Sequence, residues 1–311
     1  MTLTQLKYIL AVERCHNFAQ AARECFVTQP TLSMQIHKLE DYLQVTVFDR
    51  SAQPTRPTVL GQKVLDMARE VVRRADALED LAKSVRNEIA GDYNLGVIPT
   101  LAPSLVPLFV GIFEKRFPKV QLRVYEHQTE TLIQLLKEDK LDGGLCAGPL
   151  GVKGLHEESL FWEPFELMFS AGHELLKDKE VREDKLRIED AWLLREGHCL
   201  RTQVLQLCQP RHGGERALQF EGGSLETLVN LLRTMSGFTV LPELTVAALS
   251  TEDRRRVRPF KGATPVREIQ LVTGPFAVRA SITAALVECI KASVPKELLK
   301  KEKRANVLEV R

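Results

Sequence analysis

The segment from Val27 to Leu43, VTQPTLSMQIHKLEDYL, joins the signals that start a helix to an apolar pattern of helical period. Thr28 is a residue type preferred at the N-cap, and Pro30 falls in the first turn, where its missing N–H breaks no hydrogen bond. The apolar residues that follow at steps of three or four define one helix face: Leu32, Ile36, Leu39 and Leu43. The segment therefore predicts a helix with a buried apolar face and an exposed, polar N-terminal turn.

Two shorter helices are predicted before this segment. Apolar spacing predicts one over Thr4–Glu13, and Asn17 is suited to cap a second over Phe18–Cys25. Two short helices joined by a tight turn are typical of a helix-turn-helix, whose second helix enters the major groove of DNA. An ordinary helical hairpin with a solvated face fits the same spacing. In the first case the polar side chains on the exposed side would reach bases and phosphates, and in the second they would only be solvated: Gln29, Thr31, Ser33, Gln35 and Lys38.

The segment after the third helix, VFDRSAQPTRPTVLG over 47–61, is rich in proline and carries two arginines. A short loop with Arg50, Arg56 and Thr58 suits a wing that follows the phosphate backbone. This segment therefore favours a winged helix-turn-helix.

A long helix is predicted from Val59 to about Asn87, because this stretch contains no proline and its glycine falls in the first turn. Its apolar residues alternate steps of four and three: Val64, Ala68, Val71, Ala75, Leu78, Ala82 and Val85. That repeat is typical of a coiled-coil seam, and such a helix spans about 40 Å. The narrow stripe and its charged flanks favour a dimer, while a helix lying on its own domain is the alternative.

The remainder of the chain alternates strand and helix patterns, which predicts βαβ units and a mostly parallel sheet divided into two α/β subdomains. Strands are predicted in YNLGVIPT, VQLRVYEH, DGGLCAG, WLLREGH, GFTVLP and VREIQLVT. Helices are predicted in LVPLFVGIFEKRFP, TLIQLLKEDKL, SLETLVNLLRTM and SITAALVECIKASV. Ligand crevices in such sheets lie beyond the carboxyl ends of strands, where Thr100, Thr129 and Cys199 fall.

Composition sets the class of protein. The chain has 311 residues, 44% hydrophobic and 27% charged, with a net charge of +2, so an anionic partner must meet a local patch. There is no signal-peptide pattern at the N-terminus and no apolar run of about 18 residues, so we expect a cytoplasmic protein without a membrane partner.

The six cysteines show no metal-binding spacing, and no cofactor or metal is expected. Cys15, Cys25, Cys146 and Cys289 are interpreted as structural, and the charged C-terminal tail as frayed.

The motifs NFAQAA, TQPTLSMQIHKLE, FDR and TVLG resemble the DNA-binding domain of LysR-type transcriptional regulators. The motif GGSLETLVNLL, followed by GFTVLPE, is similar to their effector domain. The resemblance implies a winged helix-turn-helix over 1–58, a linker and dimerisation helix over 59–88, and a periplasmic-binding-protein-like regulatory domain over 89–295. Subdomain I of that domain covers about 89–163 and 267–295, subdomain II about 164–266, and a charged tail covers 296–311.

The same resemblance implies how DNA is bound. Base contacts are expected from Gln29, Pro30 and Ser33. Phosphate contacts are expected from Thr31, Arg50, Arg56 and Thr58. Met34 stands where the family often carries Arg or Gly. The expected partners are double-stranded promoter DNA, a second copy of the chain in a homodimer or dimer of dimers, and RNA polymerase.

The stretch GHCLRTQVLQLC over 197–208 holds two cysteines that, taken alone, are most simply two inert buried thiols. The motifs GVIPT, HQT, LLREGHCLRTQ with its later Cys, and SLETLVN are similar to the peroxide-sensing members of the family. This resemblance implies that Cys199 is oxidised to a sulfenic acid, which Cys208 converts to a disulfide. His198 and Arg201 flank the first thiol, and cationic neighbours are expected to lower its pKa. Thr202 stands where the family usually has an acidic residue.

The resemblance further implies that Thr100, Thr129, His198 and Arg267 surround Cys199. The threonines would hold the peroxide, and Arg267 would stabilise developing negative charge. A helix-cap or turn role for the two threonines is the alternative. If 200–208 is helical, it spans about 13 Å, whereas a disulfide needs Cα atoms within about 7 Å. Disulfide formation therefore requires this segment to unfold, which would change the regulatory domain.

The leading hypothesis is a non-enzymatic regulator of antioxidant genes that senses hydrogen peroxide and is reset by cellular thiol reductants. A second hypothesis is a regulator that answers a small organic effector bound between the subdomains. A third is a thiol peroxidase, against which the DNA-binding pattern of the N-terminal half argues.

Overall fold

The computed structural model describes residues 1–85, 89–208, 222–274, 279–302 and 304–310, with the side chains of 79–85 excluded. The chain divides into two compact units, Met1–Asn87 and Glu88–Arg311.

The first unit is a winged helix-turn-helix, as the sequence predicts. Its elements are α1 (Leu3–Cys15), α2 (Phe18–Glu24), α3 (Gln29–Leu43), β1 (Phe48–Asp49), β2 (Arg56–Pro57) and α4 (Val59–Val85). The predicted N-caps are confirmed, because the Asn17 side chain accepts from the Gln20 N–H and the Thr28 hydroxyl accepts from the Thr31 N–H. The first helix is longer than predicted, since Thr2 and Gln5 form a capping box that starts it at Leu3.

The core of this unit lies between its first three helices and the wing. Ile9 of α1 and Leu32 and Ile36 of α3 are fully buried within one apolar cluster. The strands β1 and β2 pair antiparallel to form the wing. Gly61 lets the start of α4 approach the wing, because a Cβ there would lie 2.0 Å from the Val47 carbonyl oxygen.

The helix α4 packs on its own unit along one face and leaves another face uncovered. Leu65, Ala68 and Val72 are buried against the core, so Ala68 is not a free seam residue as predicted. The reason is that α1 offers apolar surface alongside the first half of α4. Other apolar residues of α4 are exposed: Leu60, Met67, Val71 and Leu78. The predicted seam side chains of Ala82 and Val85, and residues 86–88, lie outside the described residues.

The second unit is a mixed α/β fold. Its strands are β3 (Gly91–Val97), β4 (Val120–Glu126), β5 (Gly143–Gly148), β6 (His156–Phe169), β7 (Phe238–Pro242), β8 (Val257–Arg258), β9 (Thr264–Thr273) and β10 (Ala305–Val307). Its helices are α5 (Ala102–Arg116), α6 (Thr129–Lys137), α7 (Cys199–Leu207), α8 (Leu225–Thr234), α9 (Glu243–Ala247), α10 (Thr251–Arg254) and α11 (Ala280–Ser293). The strand order is β4-β3-β5-β9-β6-β7, with β10 beside β9 and β8 beside β6.

Two long strands connect the two halves of this unit. The strands β6 and β9 run antiparallel, and β6 continues past β9 to pair with β7 and β8. The described apolar side chains form two separate cores, one around β3, β5 and α11 and one around β7, α7 and α8. We call them the first and the second core. The predicted fold class, a winged helix-turn-helix head followed by an α/β domain of two subdomains, is confirmed. The prediction of a mostly parallel sheet is wrong, because β9 pairs antiparallel with β5 and β6, and β6 pairs antiparallel with β7 and β8.

One strand prediction was wrong, and one strand was not predicted. The segment WLLREGH forms only isolated bridges, Ala191 to Phe238 and Leu194 to Gly222, because the chain passes the end of the sheet without a continuous ladder. The long strand β6 was not predicted, since Pro164 and its many glutamates obscure the strand pattern.

The prediction of a frayed tail was also wrong. A short 3-10 helix covers Lys296–Leu299, and β10 then adds to the sheet. Leu308 and Val310 are buried in the described structure, because the charged tail ends in an alternating apolar sequence that packs against the domain.

In the part of the chain that the structure describes, every helix is too short or too polar to cross a membrane. The described histidines, cysteines and acidic residues form no cluster that could hold a metal ion.

Candidate functional site

The helix α7 presents Cys199 as its first residue and is followed directly by Cys208. The turn before it depends on Gly197, whose φ of +86° belongs to the left-handed region. A Cβ at this glycine would also lie 2.8 Å from the Oε1 of Gln128, whose side chain would have to move, so the positive φ is the main reason for glycine here. This turn directs Cys199 into the first core, next to the start of α6.

Several groups act on the Cys199 thiol. Burial raises the pKa of Cys199, and it outweighs the lowering by Arg267, by the Thr129 hydroxyl and by the N–H groups of Leu200 and of Cys199 itself. The expected lowering of this pKa is therefore wrong in its net direction. The Thr129 hydroxyl has no other hydrogen-bond partner among the described residues. Cys199 is thus a buried thiol with a cation and several N–H and O–H donors directed towards it.

A fully buried ion pair holds Arg267 in place. Glu163 and Arg267 lie opposite each other on β6 and β9, and Arg267 Nε donates to Glu163 Oε2 at 2.8 Å. The other Glu163 oxygen accepts from the Leu244 N–H at 3.0 Å. Arg267 Nη1 donates to Thr100 Oγ1 at 3.1 Å, and Nη2 donates to the Thr100 carbonyl at 3.3 Å. The network satisfies a charged pair that would otherwise be costly to bury.

The two residues that flank Cys199 in sequence do not supply its positive charge. Burial, and then Arg195, lower the pKa of His198, which favours the neutral imidazole. Its Nε2 has no hydrogen-bond partner among the described residues. Arg201 instead donates from Nη1 to the Leu194 carbonyl at 3.0 Å. The exposed Thr202 side chain points away from the buried thiol.

The two threonines do not cap the helices that follow them. Leu101 is the N-cap residue of α5 and Gln128 that of α6, and neither helix has a side-chain cap. Thr100 and Thr129 are both buried, and they face Arg267 and Cys199 respectively. The structure therefore brings together Cys199, Thr129, Arg267 and Thr100, although they come from four separate segments.

Cys208 lies in a different environment. It belongs to the second core, whereas Cys199 belongs to the first. Burial, followed by the carboxylates of Glu183 and Glu189, raises the pKa of Cys208 to about 12. Burial also raises the pKa of the remaining thiols: Cys15, Cys25, Cys146 and Cys289.

The first turn of α3 forms an exposed polar surface on the other unit. Gln29, Pro30 and Thr31 are exposed there, and Ser33 is partly exposed. Lys38 is exposed further along the helix, and Met34 is half exposed. Gln29, Pro30 and Arg56 of the wing are available to a ligand, whereas the Thr31 hydroxyl is bonded to the Thr28 hydroxyl and Ser33 Oγ accepts from Arg50.

Three other predicted DNA contacts already have partners within the unit. Arg50 pairs with Glu40 at 3.0 Å and lies 5.3 Å from the centre of the Phe18 ring. The Thr58 hydroxyl donates to the Thr46 carbonyl and accepts from the Gly61 N–H, so it caps the start of α4. The Gln35 side chain accepts from Gln5. These three residues stabilise the head, and any DNA contact from them would compete with those bonds.

Glu163 is the site residue that the sequence reasoning missed. It lies in β6, the strand that was not predicted, and its partner Arg267 is distant in sequence. The available signal was a glutamate within an otherwise apolar and aromatic run, LFWEPF, which indicates a buried charge that needs a partner.

Comparisons with known proteins agree on one family. The bacterial regulatory helix-turn-helix family of the LysR type matches residues 3–62, and the LysR substrate binding domain family matches residues 86–295. The chain is 34% identical over 292 residues to the DNA-binding transcriptional dual regulator OxyR of Escherichia coli, covering 94% of this chain and 95% of that protein.

A second relative is the hydrogen peroxide-inducible genes activator of Haemophilus influenzae, which is 33% identical over 275 residues, 88% of this chain and 91% of that protein. A similar solved structure is a full-length OxyR variant from Pseudomonas aeruginosa. It has a TM-score of 0.79 and 30% identity, covering 94% of this chain and 99% of that chain.

Proposed function

Since the chain belongs to the LysR family of transcriptional regulators, we propose that it activates antioxidant genes in response to hydrogen peroxide, which oxidises Cys199. One observation carries the proposal. Arg267 acts on the thiol at the N-terminus of α7, and the Thr129 hydroxyl, which also acts on this thiol, has no other partner among the described residues. A buried hydroxyl with spare hydrogen-bonding capacity beside a thiol and a guanidinium suits a small polar molecule such as a peroxide.

The two thiols together reduce one molecule of peroxide. The Cys199 thiolate attacks one oxygen of the peroxide, the O–O bond breaks, and the second oxygen leaves as hydroxide and becomes water. The resulting sulfenic acid is attacked by the Cys208 thiolate, and its oxygen leaves as a second water. The two sulfurs lose two electrons in total, and the peroxide gains them. Arg267 would stabilise the negative charge on the reacting oxygens, and cellular thiol reductants would reverse the disulfide.

The geometry of α7 makes this reaction a signal. The helix runs from Cys199 to Leu207, and a helix of this length spans about 13 Å, whereas a disulfide needs Cα atoms within about 7 Å. The helix must therefore unfold before the sulfurs can bond. The unfolding would move the second core relative to the first and change the regulatory domain.

The proposed partner of the head is double-stranded promoter DNA. Gln29, Pro30 and Ser33 would contact bases from the major groove, and Thr31 and Arg56 would contact phosphates. An activator of this kind also requires contact with RNA polymerase. Gln29→Ala is expected to weaken sequence-specific binding about tenfold or more while leaving non-specific binding nearly unchanged.

We infer that the protein is a homodimer through α4 and assembles further into a dimer of dimers. The exposed residues Leu60, Met67, Val71 and Leu78 follow a heptad spacing on the face that its own unit does not cover. Leu78→Asp is expected to shift the sedimentation of the protein toward monomer. Ala77→Asp introduces the same carboxylate on a partly exposed residue that lies about 100° around the helix from this stripe, and it is expected to leave the assembly intact.

The sensing proposal is tested by mapping thiols by mass spectrometry after brief peroxide treatment. A disulfide between Cys199 and Cys208 is expected, and Cys199→Ser should abolish the transcriptional response while DNA binding persists. Cys15→Ser, in the other unit, is the matched control and should respond normally. A responsive Cys199→Ser variant would contradict the proposal. Thermal stabilisation of a variant lacking both thiols by an organic molecule would instead support a small-effector regulator.

A further inference from the structure

The end of the chain lies directly beside the helix that must unfold. Ala305–Val307 pairs in parallel with Thr264–Val266 of β9, and the Leu308 N–H donates to the Val266 carbonyl at 3.0 Å. We call Ala305–Val310 the C-terminal strap. The strap is thus anchored on β9 at Val266, the residue directly before Arg267.

Two side chains of α7 hold the strap from the other side. Gln203, which is fully buried, donates from Nε2 to the Leu308 carbonyl at 3.3 Å. Gln206, one turn further along, donates from Nε2 to the Glu309 carbonyl at 3.1 Å. Successive backbone carbonyls of the strap therefore bind successive turns of α7, and they require α7 to be helical, because only a helix places these two glutamines on one face.

The strap also contributes to both apolar cores. Leu308 is buried in the second core together with Val204 and Cys208, and Val310 is buried in the first core together with Cys199. The strap and α7 therefore each contribute side chains to both cores.

The helix α7 depends on such contacts. It has nine residues and no side-chain N-cap, and isolated helices shorter than about 12 residues are marginal in water. Its helical state must therefore be supported by tertiary packing, to which the strap contributes two hydrogen bonds and a buried leucine.

We propose that the C-terminal strap is a brake on disulfide formation: it holds α7 helical and so sets the rate at which Cys208 reaches oxidised Cys199. The inference rests on the proposed function. It concerns only the second step, in which the Cys208 thiolate displaces the sulfenic oxygen as water. The first step, attack of Cys199 on peroxide, needs no unfolding of α7 and is independent of the strap.

The test compares the full-length protein with Leu308→Ala and with a variant that ends at Arg304. Sulfenic acid formed after peroxide addition is captured with dimedone in a Cys208→Ser background, and disulfide is followed by quenched mass mapping. Sulfenic acid formation is expected to stay within about twofold. Disulfide closure is expected to become at least about tenfold faster, because a buried Leu→Ala change costs more free energy than one factor of ten requires.

Glu309→Ala is the matched control. Its side chain is exposed, and the group that accepts from Gln206 is the backbone carbonyl, which the substitution retains. This variant should close the disulfide at the wild-type rate. Gln206→Ala removes one surface hydrogen bond without a cavity and should accelerate closure by a smaller factor, which keeps the test valid if the shortened chain does not fold.

Release of the strap gives an independent readout. Arg304 is exposed just before the strap, and oxidation is expected to increase trypsin cleavage after this residue, with no such increase in Cys199→Ser. If wild-type protein forms no disulfide between Cys199 and Cys208, the proposed function fails. If the disulfide forms but closes at the same rate, or more slowly, in Leu308→Ala, or if cleavage after Arg304 is unchanged by oxidation, the strap inference fails alone.

Discussion

The two ends of α7 carry the same side chain in opposite surroundings. At the N-terminal end, Cys199 faces a guanidinium, a hydroxyl and two N–H groups, all of which lower its pKa against the effect of burial. At the other end, Cys208 faces two carboxylates, and its pKa is raised to about 12. The difference shows how a fold can reserve one thiol for attack on the oxidant and keep the other protonated until α7 unfolds and releases it.

Removing the cation at the Cys199 end is expected to have the largest effect on the reactivity of the two thiols. Arg267→Gln should slow sulfenic acid formation by about 100-fold, as loss of a transition-state donor does. Glu163→Gln in the same chain avoids leaving a buried carboxylate unpaired, so the double variant tests the charge without the loss of stability. The rate is measured by dimedone capture.

Arg201→Gln is the control for that change. Arg201 is close to Cys199 in sequence but donates to the Leu194 carbonyl, so its loss should change the rate by less than about threefold. An equal slowing in both variants would mean that the rate of sulfenic acid formation depends on positive charge in general and not on the placement of Arg267.

The pH dependence of thiol alkylation gives the next largest effect. Because the folded pKa of Cys199 is raised, its thiolate is the minor form at neutral pH, and its fraction increases as pH rises. Alkylation by iodoacetamide should accelerate about tenfold per pH unit from 7 to 9, whereas in the unfolded chain it should level off near the ordinary thiol pKa of about 8.5. A plateau below pH 7 in the folded protein would show that Cys199 is already ionised.

A smaller effect is expected from weakening α7 between the two thiols. Leu205 is exposed on this helix, and Gly disfavours a helix relative to Ala by about 1 kcal/mol. Leu205→Gly should therefore close the disulfide about fivefold faster than Leu205→Ala, with equal rates of sulfenic acid formation in the two variants. Equal closure rates would mean that unfolding of α7 does not limit the reaction.

The smallest effect is expected at the Cys208 end. Glu183→Gln removes the carboxylate that has the larger effect on Cys208, so the pKa of Cys208 should fall and disulfide closure should accelerate about twofold. Peptide mapping after alkylation at pH 8 measures the change at Cys208 separately from Cys199. Slower closure would indicate that Glu183 supports the packing of this end and does not merely raise its pKa.

Local signals predicted the head well, and tertiary contacts explain what they missed. Thr28 and Asn17 cap their helices because a cap depends on neighbours three residues away, which the sequence displays. The grouping of Thr100, Thr129 and Arg267 around Cys199 came from the family resemblance, since no spacing connects four distant segments. The capping role of Thr58 was not predicted, because the Thr46 carbonyl that accepts from its hydroxyl comes from the other side of the wing.

The regulatory unit contained features that no local pattern reveals. The pairing of Glu163 with Arg267 depends on the register of two long strands, and one of them was hidden by Pro164. The direction of the Cys199 pKa shift depends on how completely the fold removes water from the thiol. Neighbours in sequence such as His198 gave the wrong indication of this direction. The tail appeared disordered because its charges outnumber its apolar residues, although Leu308 and Val310 suffice to bury it.

The division of α7 between two cores has a consequence for how such a sensor changes over generations. The side chains of Leu200 and Val204 pack in the second core and take no part in the chemistry, yet their packing contributes to the free energy that unfolding must overcome. A conservative substitution at such a position would alter the oxidant concentration that triggers the switch while every reacting group stayed the same. The sensitivity of the protein can therefore drift, or be adapted to a new habitat, through ordinary core mutations that leave the chemistry untouched.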